Sequence, residues 1–135
     1  MATGRYEISR SASGEYRFTL VTVSGIPLAH SGIYKSLSVC KKGIASLRVN
    51  SDAPLEDKTD AATELIGYAE QMRCPKIELI SDSEVGGVGG YNFVLRAKNG
   101  NIIATGEGYG TKKRCLEAIA NLRYIAFSAQ TTELF

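Results

Sequence analysis

An α+β fold, made of two tandem β-β-β-α repeats with antiparallel sheet, related by a pseudo-twofold and joined by a linker helix, follows from three observations. The chain resembles itself at an offset of 75 residues. Each copy holds a segment of strict two-residue alternation: Tyr16, Phe18 and Leu20 in the first, Tyr91, Phe93 and Leu95 in the second. Each alternating segment is followed by apolar residues at spacings of three and four, the mark of a helix with one buried face.

The self-match is ungapped over residues 16 to 49. Tyr16, Phe18, Leu20, Gly25, Ala29 and Tyr34 meet Tyr91, Phe93, Leu95, Gly100, Ala104 and Tyr109. Cys40, Ile44, Ala45, Leu47 and Arg48 meet Cys115, Ile119, Ala120, Leu122 and Arg123. Upstream, Glu7-Ile8 resembles Glu78-Leu79 at an offset of 71, so the second copy carries extra residues in "SEVGGVGG".

In chain order, "RYEIS" reads as a first strand and residues from Tyr16 as a second. Ser24-Gly25 turns into a third. In the second copy "KIELI" precedes the strand from Tyr91, and Asn99-Gly100 suits a two-residue type I′ hairpin. Pairing across that turn sets Ala97 opposite Ile102, Leu95 opposite Ala104 and Phe93 opposite Gly106, large against small. Ser36 and Thr111 stand where a hydroxyl should cap a helix start. Leu37, Cys40, Ile44 and Leu47 share one helical face, as do Cys115, Ile119, Leu122 and Ala126. Between the copies, residues 55 to 72 carry Leu65, Ile66, Ala69 and Met72 at helical spacing, with Thr59-Asp60 at the start and Pro75 ending it. The domain reading is residues 1–53, a linker at 54–75, and residues 76–135, packed as one compact unit.

Composition narrows the function. The 135 residues are 44% hydrophobic and 22% charged, which suits one globular domain with a core of its own. A net charge of +2 is too small to mark an obligate nucleic-acid binder. No stretch reaches the ~20 apolar residues that span a bilayer, and "MATGRYEISR" lacks a signal-peptide pattern, so a cytoplasmic protein without a membrane partner is expected. Cys40, Cys74 and Cys115 read as free thiols.

"YNFVLRAKNGNIIATGEGYGTKKRCLEAI" resembles the signature of the YegP-like family, short and often tandemly repeated bacterial domains of unknown function. The matching positions are Phe93, Leu95, Asn99, Gly100, Ile103, Ala104, Gly106, Glu107, Gly108, Tyr109, Thr111 and Ile119. Gly106 stands where the family usually has serine, and in the first copy Gly32 replaces the glutamate. The resemblance implies a tandem β-rich α+β module, often repeated or dimeric, and brings no catalytic residues.

The residues themselves offer little catalysis. His30 is the only histidine and no two cysteines are close, so no metal site and no cofactor are expected. No nucleophile elbow is present. "VGGVGG" lacks the Gly-Lys-Ser/Thr ending of a phosphate loop. "GYGTKKR" is the strongest ligand candidate: Gly108 and Gly110 admit close approach, Tyr109 can stack, Thr111 offers a hydroxyl, and Lys112, Lys113 and Arg114 offer charge at a helix start. A solvated, capped helix start explains the same residues.

Thr19, Val21, Val23 and Leu28 fall on the outer face of the first copy's sheet, where one helix cannot cover them, and form a candidate interface. The expected function is a non-enzymatic binding or assembly module acting through sheet surface, with a homo-oligomer as one form of it; the other repeat, the linker helix or a second chain could each cover that face. The alternative is an anion, nucleic-acid or acidic-partner binder at 112–114. An enzyme using Glu107 and Tyr109 in a cleft is the third reading.

Overall fold

The computed structural model describes residues 4–59, 73–81 and 90–135. They form one mixed sheet of eight strands backed by two helices. The strands are β1 (Gly4–Arg10), β2 (Tyr16–Thr22), β3 (Pro27–His30), β4 (Leu55–Asp57), β5 (Lys76–Ser81), β6 (Tyr91–Arg96), β7 (Ile102–Tyr109) and β8 (Gln130–Glu133). The helices are α1 (Leu37–Asn50) and α2 (Lys112–Ile125). The spatial order is β4-β5-β6-β7-β3-β2-β1-β8. Read inward from either edge, it gives the strand after a helix, then a first, second and third strand.

Two expectations change here. The sheet is mixed, because β4 runs parallel to β5 and β8 parallel to β1. Each β-β-β-α stretch also acquires a fourth strand, and that strand joins the other stretch. α1 carries the chain from β3, at the centre, to the edge beside β5. α2 carries it from β7 to the edge beside β1. The segments Leu55–Asp57 and Gln130–Glu133 are short and lack alternation, so only their distant partners make them strands. Leu55–Asp57 is therefore strand; the expected linker helix at Leu65, Ile66, Ala69 and Met72 lies outside the described residues, as does "VGGVG" at 85–89.

The three hairpins whose turns lie among the described residues share one turn. Gly14 N–H donates to Ser11 O, Gly25 N–H to Thr22 O and Gly100 N–H to Ala97 O, at 2.8–3.0 Å. The first residue of each turn then donates to the fifth: Ser11 to Glu15, Thr22 to Ile26, Ala97 to Asn101. Only the glycine takes a positive φ, 84° to 86°. Asn99 does not, so the expected two-residue type I′ turn is a type I turn closed by a glycine bulge. The register shifts accordingly. Phe93 faces Gly106 and Leu95 faces Ala104 as read, but Arg96, not Ala97, faces Ile102.

Both helix starts are capped as expected: Ser36 Oγ accepts from Val39 N–H at 3.2 Å and Thr111 Oγ1 from Arg114 N–H at 3.1 Å. Cys40, Ile44 and Leu47 from α1, and Cys115, Ile119 and Leu122 from α2, are buried against Tyr6, Ile8, Phe18, Leu20, Phe93 and Leu95 of the sheet. Phe18 stacks on Tyr34 (6.2 Å, 11° between planes) and Phe93 on Tyr109 (6.1 Å, 23°). Space at the second stack requires Gly106. A Cβ there would lie 2.1 Å from the Phe93 ring and 2.6 Å from Leu28 O.

Candidate functional site

Because the pleat sends Tyr6, Ile8, Phe18 and Leu20 toward the helices, their neighbours in sequence face the other way. The register strings those neighbours into one row across all eight strands: Thr132, Glu7, Thr19, His30, Thr105, Val94, Glu78 and Glu56. The row has two unlike halves.

On the β5 side it is closed by a salt-bridge network. Glu78, whose side chain is 3% exposed, receives Arg96 Nε at 2.5 Å and Lys58 Nζ at 2.6 Å, with Lys76 Nζ at 3.5 Å. Lys76 also reaches Glu56 at 2.6 Å. Burial pushes the Glu78 carboxyl up, but the hydrogen bonds and charges of Lys58 and Arg96 outweigh it and hold it below the usual range. Burial likewise opposes charge on Lys76, and Glu56 and Glu78 win, raising it. These groups neutralise one another, which makes this half structural.

On the β1 side the row is open and polar. At the seam between β3 and β7, where His30 pairs with Thr105, His30 Nε2 lies 3.0 Å from Glu107 Oε1. Their side chains are 40% and 63% exposed. Thr19 stands beside His30, Glu7 beside Thr19, and Arg5 Nε binds Glu7 at 2.8 Å. Arg17 is two residues from Thr19 on the same face and is exposed.

The structure disperses the "GYGTKKR" candidate. Gly108 has φ +85° and donates its N–H to Asn92 Oδ1 at 3.1 Å. Tyr109 turns to the core side, stacks on Phe93 and donates to Leu28 O at 3.1 Å; burial raises its hydroxyl pKa. Gly110 has open space around it. Thr111 is occupied as the cap. Lys112 Nζ binds Asp57 Oδ2 at 2.5 Å, and Lys113 and Arg114 remain exposed. Burial pushes the Asp57 carboxyl up, but hydrogen bonds from Lys112 and Thr59 hold it low. Glu107 and Tyr109 lie on opposite faces, so they share no cleft.

The expected interface residues also separate. Val21 and Leu28 are buried, Thr19 is half-buried, and only Val23, at 67%, is widely exposed. The His30–Glu107 pair was not read from sequence as a unit. The self-match held a signal: at the offset of 75 His30 aligns with Thr105, and β3 pairs with β7 at these two residues, two positions from Glu107.

Among the described residues no group of histidine, cysteine and carboxylate side chains has metal-site geometry. None of the described helices is long and apolar enough to cross a membrane.

The class so defined is an α+β domain with one mixed sheet of eight strands and, among the described residues, two helices packed on one face. The model of a domain of unknown function, DUF1508, matches residues 11–57 and again 88–133. The chain belongs to this YegP-like family. It is 41% identical over 132 residues to the UPF0339 protein ACIAD0721 of Acinetobacter baylyi, covering 98% of this chain and 97% of that one. It is 27% identical over 122 residues to the UPF0339 protein YegP of Yersinia pestis, covering 90% and 88%. The solution NMR structure of YegP from E. coli, a protein of unknown function, superposes with a TM-score of 0.73 at 25% identity, covering 99% of this chain and 95% of that one. The family's function is not established.

Proposed function

We propose that the protein is a non-enzymatic binding module that engages its ligand on the open half of the sheet face opposite the helices. One observation carries this reading: the seam places the exposed His30–Glu107 pair on the midline of the sheet, at the inner end of that half, with Thr19 and Thr105 beside it and Arg17 two residues beyond Thr19. Both helices and the apolar core lie on the other side, so these polar groups carry little of the packing. A rigid sheet that presents them at fixed spacing suits recognition. Cytoplasmic residence fits the reading, since Cys40, Cys74 and Cys115 are free thiols.

A tandem β-β-β-α duplication about a pseudo-twofold underlies this reading. It is supported by the paired family matches, by the strand order, and by the burial of Phe18 with Phe93 and Ile44 with Ile119. The seam between the two units then forms the centre of the site. Anion binding at 112–114 is the weaker alternative, because Lys112 already pairs with Asp57. Self-association has the exposed Val23 and Ile26 to draw on.

A thermal-shift screen of small metabolites and short peptides, followed by amide chemical-shift mapping of each hit, tests the proposal. Hits should perturb Thr19, His30, Thr105 and Glu107, and His30→Ala should abolish their stabilisation. Hits that map to the helices or to residues 112–114 instead would overturn it.

A further inference from the structure

We propose that the outer margin of β8 is a docking edge for a second copy of this chain, the two β8 strands pairing antiparallel about a twofold with Glu133 of each copy beside Arg48 of the other. The inference goes beyond the ligand reading above and does not depend on it. β8 stands last in the strand order, and all four of its residues are exposed. Its inner margin is taken by β1: the parallel register sets Thr132 level with Glu7, and Leu134 N–H donates to Ile8 O at 2.9 Å. Backbone groups alternate in direction along a strand, so Gln130, Thr132 and Leu134 turn theirs toward β1. Those of Thr131 and Glu133 point away from the sheet.

The opposite edge of the sheet is guarded. β4 carries Glu56 and Asp57, held by Lys76 at 2.6 Å and Lys112 at 2.5 Å, and Lys58 just beyond it binds Glu78 at 2.6 Å. Charged side chains on an edge strand oppose edge-to-edge association. β8 has no proline and no shift of register, and its one charge is Glu133.

Antiparallel strands exchange bonds only between residues whose backbone groups both point outward. The self-pairings that meet this condition centre on Thr131, Thr132 or Glu133. Centred on Glu133, the two carboxylates face each other, which is unfavourable. Centred on Thr131, Glu133 meets Ala129, whose N–H already donates to Ile125 O and whose carbonyl accepts from Arg48. Centred on Thr132, each Thr131 exchanges both backbone bonds with the second copy's Glu133. Charge favours this last register. Thr131 and Glu133 both point to the helix side, where Thr131 Oγ1 lies 3.4 Å from Arg48 Nη2. The carboxylate that lands opposite Thr131 therefore comes beside that guanidinium, once in each direction. Its rival within one copy, Lys41, is 3.7 Å away with both side chains well exposed. The twofold stands perpendicular to the sheet, so the polar rows of the two copies join through Thr132.

A margin this short places the dimer in the weak class, below about 1,200 Å² of buried surface. Sedimentation of the full chain from about 10 μM to about 1 mM, the range of weak association, tests it. The mass should rise with concentration toward a dimer and stop there. Thr131→Pro removes an outward N–H that β1 does not use, and Glu133→Lys sets a cation beside Arg48 of the second copy. Each should weaken the dimer by roughly tenfold or more, while V23S, on an exposed residue of the β2–β3 turn, should leave it intact. Should T131P unfold, E133K carries the comparison. Oxidation locates the register. In a C74A background T132C should form a disulfide-linked dimer, because opposed residues of a non-hydrogen-bonded pair lie about 4.5 Å apart at Cα, within disulfide reach; T131C should not. A strict monomer throughout, growth past the dimer, indifference to E133K, loss with V23S, or cross-linking through T131C in preference to T132C would overturn the proposal.

Discussion

Arg48, in the last turn of α1, donates from Nη2 to the carbonyl oxygen of Ala129 at 2.6 Å, just ahead of the strand that follows α2. Arg123, in the last turn of α2, returns the contact to Ala53 O at 2.7 Å, just ahead of the strand that follows α1. Each helix thus secures the edge strand that succeeds the other helix. Arg48 also lies 5.0 Å from the centre of the Tyr6 ring, while Tyr6 Oη donates to Ala126 O at 2.5 Å. Burial pushes the Tyr6 hydroxyl up to about 12 despite the opposing charge of Arg48, so it stays protonated as the donor.

Truncating either arginine removes a charged donor to a carbonyl, an interaction of about 1.5–3 kcal/mol. Arg48→Ala should fall at the upper end, since it also loses the contact with Tyr6. The local signature separates the two variants. Hydrogen exchange should accelerate first at β8 in Arg48→Ala and first at β4 in Arg123→Ala. Uniform acceleration in both would refute the reciprocal arrangement.

Gly106→Ala should destabilise by about 1–3 kcal/mol, the range for a core forced to accept an extra methyl. The cause is the Phe93 ring, which occupies the site of the added Cβ. Phe93→Leu should recover part of the loss when combined with Gly106→Ala, although it is destabilising alone. Denaturant midpoints of the four proteins form the cycle that measures this coupling.

Acid should unfold the protein partly through Glu78 and Asp57. Both bind a proton less readily when folded than when unfolded, so their contribution is full above the unfolded carboxylate pKa, roughly 4, and drains away as pH falls through the lower folded values. Glu78→Gln should cost about 2–4 kcal/mol at neutral pH, since it leaves Lys58 and Arg96 facing a neutral group, while Lys76 keeps Glu56. It should also flatten the acid limb of stability against pH. An unchanged limb would show that Glu78 titrates normally.

Thiol labelling at pH 8 should reach Cys74, which is half-buried, well before Cys40 and Cys115. Burial raises the Cys40 thiol and pushes Cys115 up to about 11, leaving little thiolate to react. Mass spectrometry of native and denatured samples checks the order; simultaneous labelling would place the two helices outside the core.

Much of this fold was legible in the sequence because local pattern and tertiary burial agree. Phe18 and Phe93 are both fully buried, Ile44 and Ile119 are each 2% exposed, and Ser36 and Thr111 cap their helices. What escaped depends on partners far along the chain. Nothing near "LED" or "QTTE" announces a strand, because their ladders form with β5 and β1. The hairpin type escaped because Asn99 can take a positive φ and here does not. At the site, Lys112 read as a free cation until β4 brought Asp57 to it, and His30 read as solitary until the seam delivered Glu107.

The placement of β8 also sets a schedule for a growing chain. As the ribosome delivers it, β1 to β3 can close their hairpins early, yet the outer margin of β1 keeps its backbone groups unpaired until residues 130–133 emerge. Throughout that interval the nascent protein carries a bare strand margin open to neighbours, so slowed translation late in the message should raise co-translational aggregation more than slowing early in it.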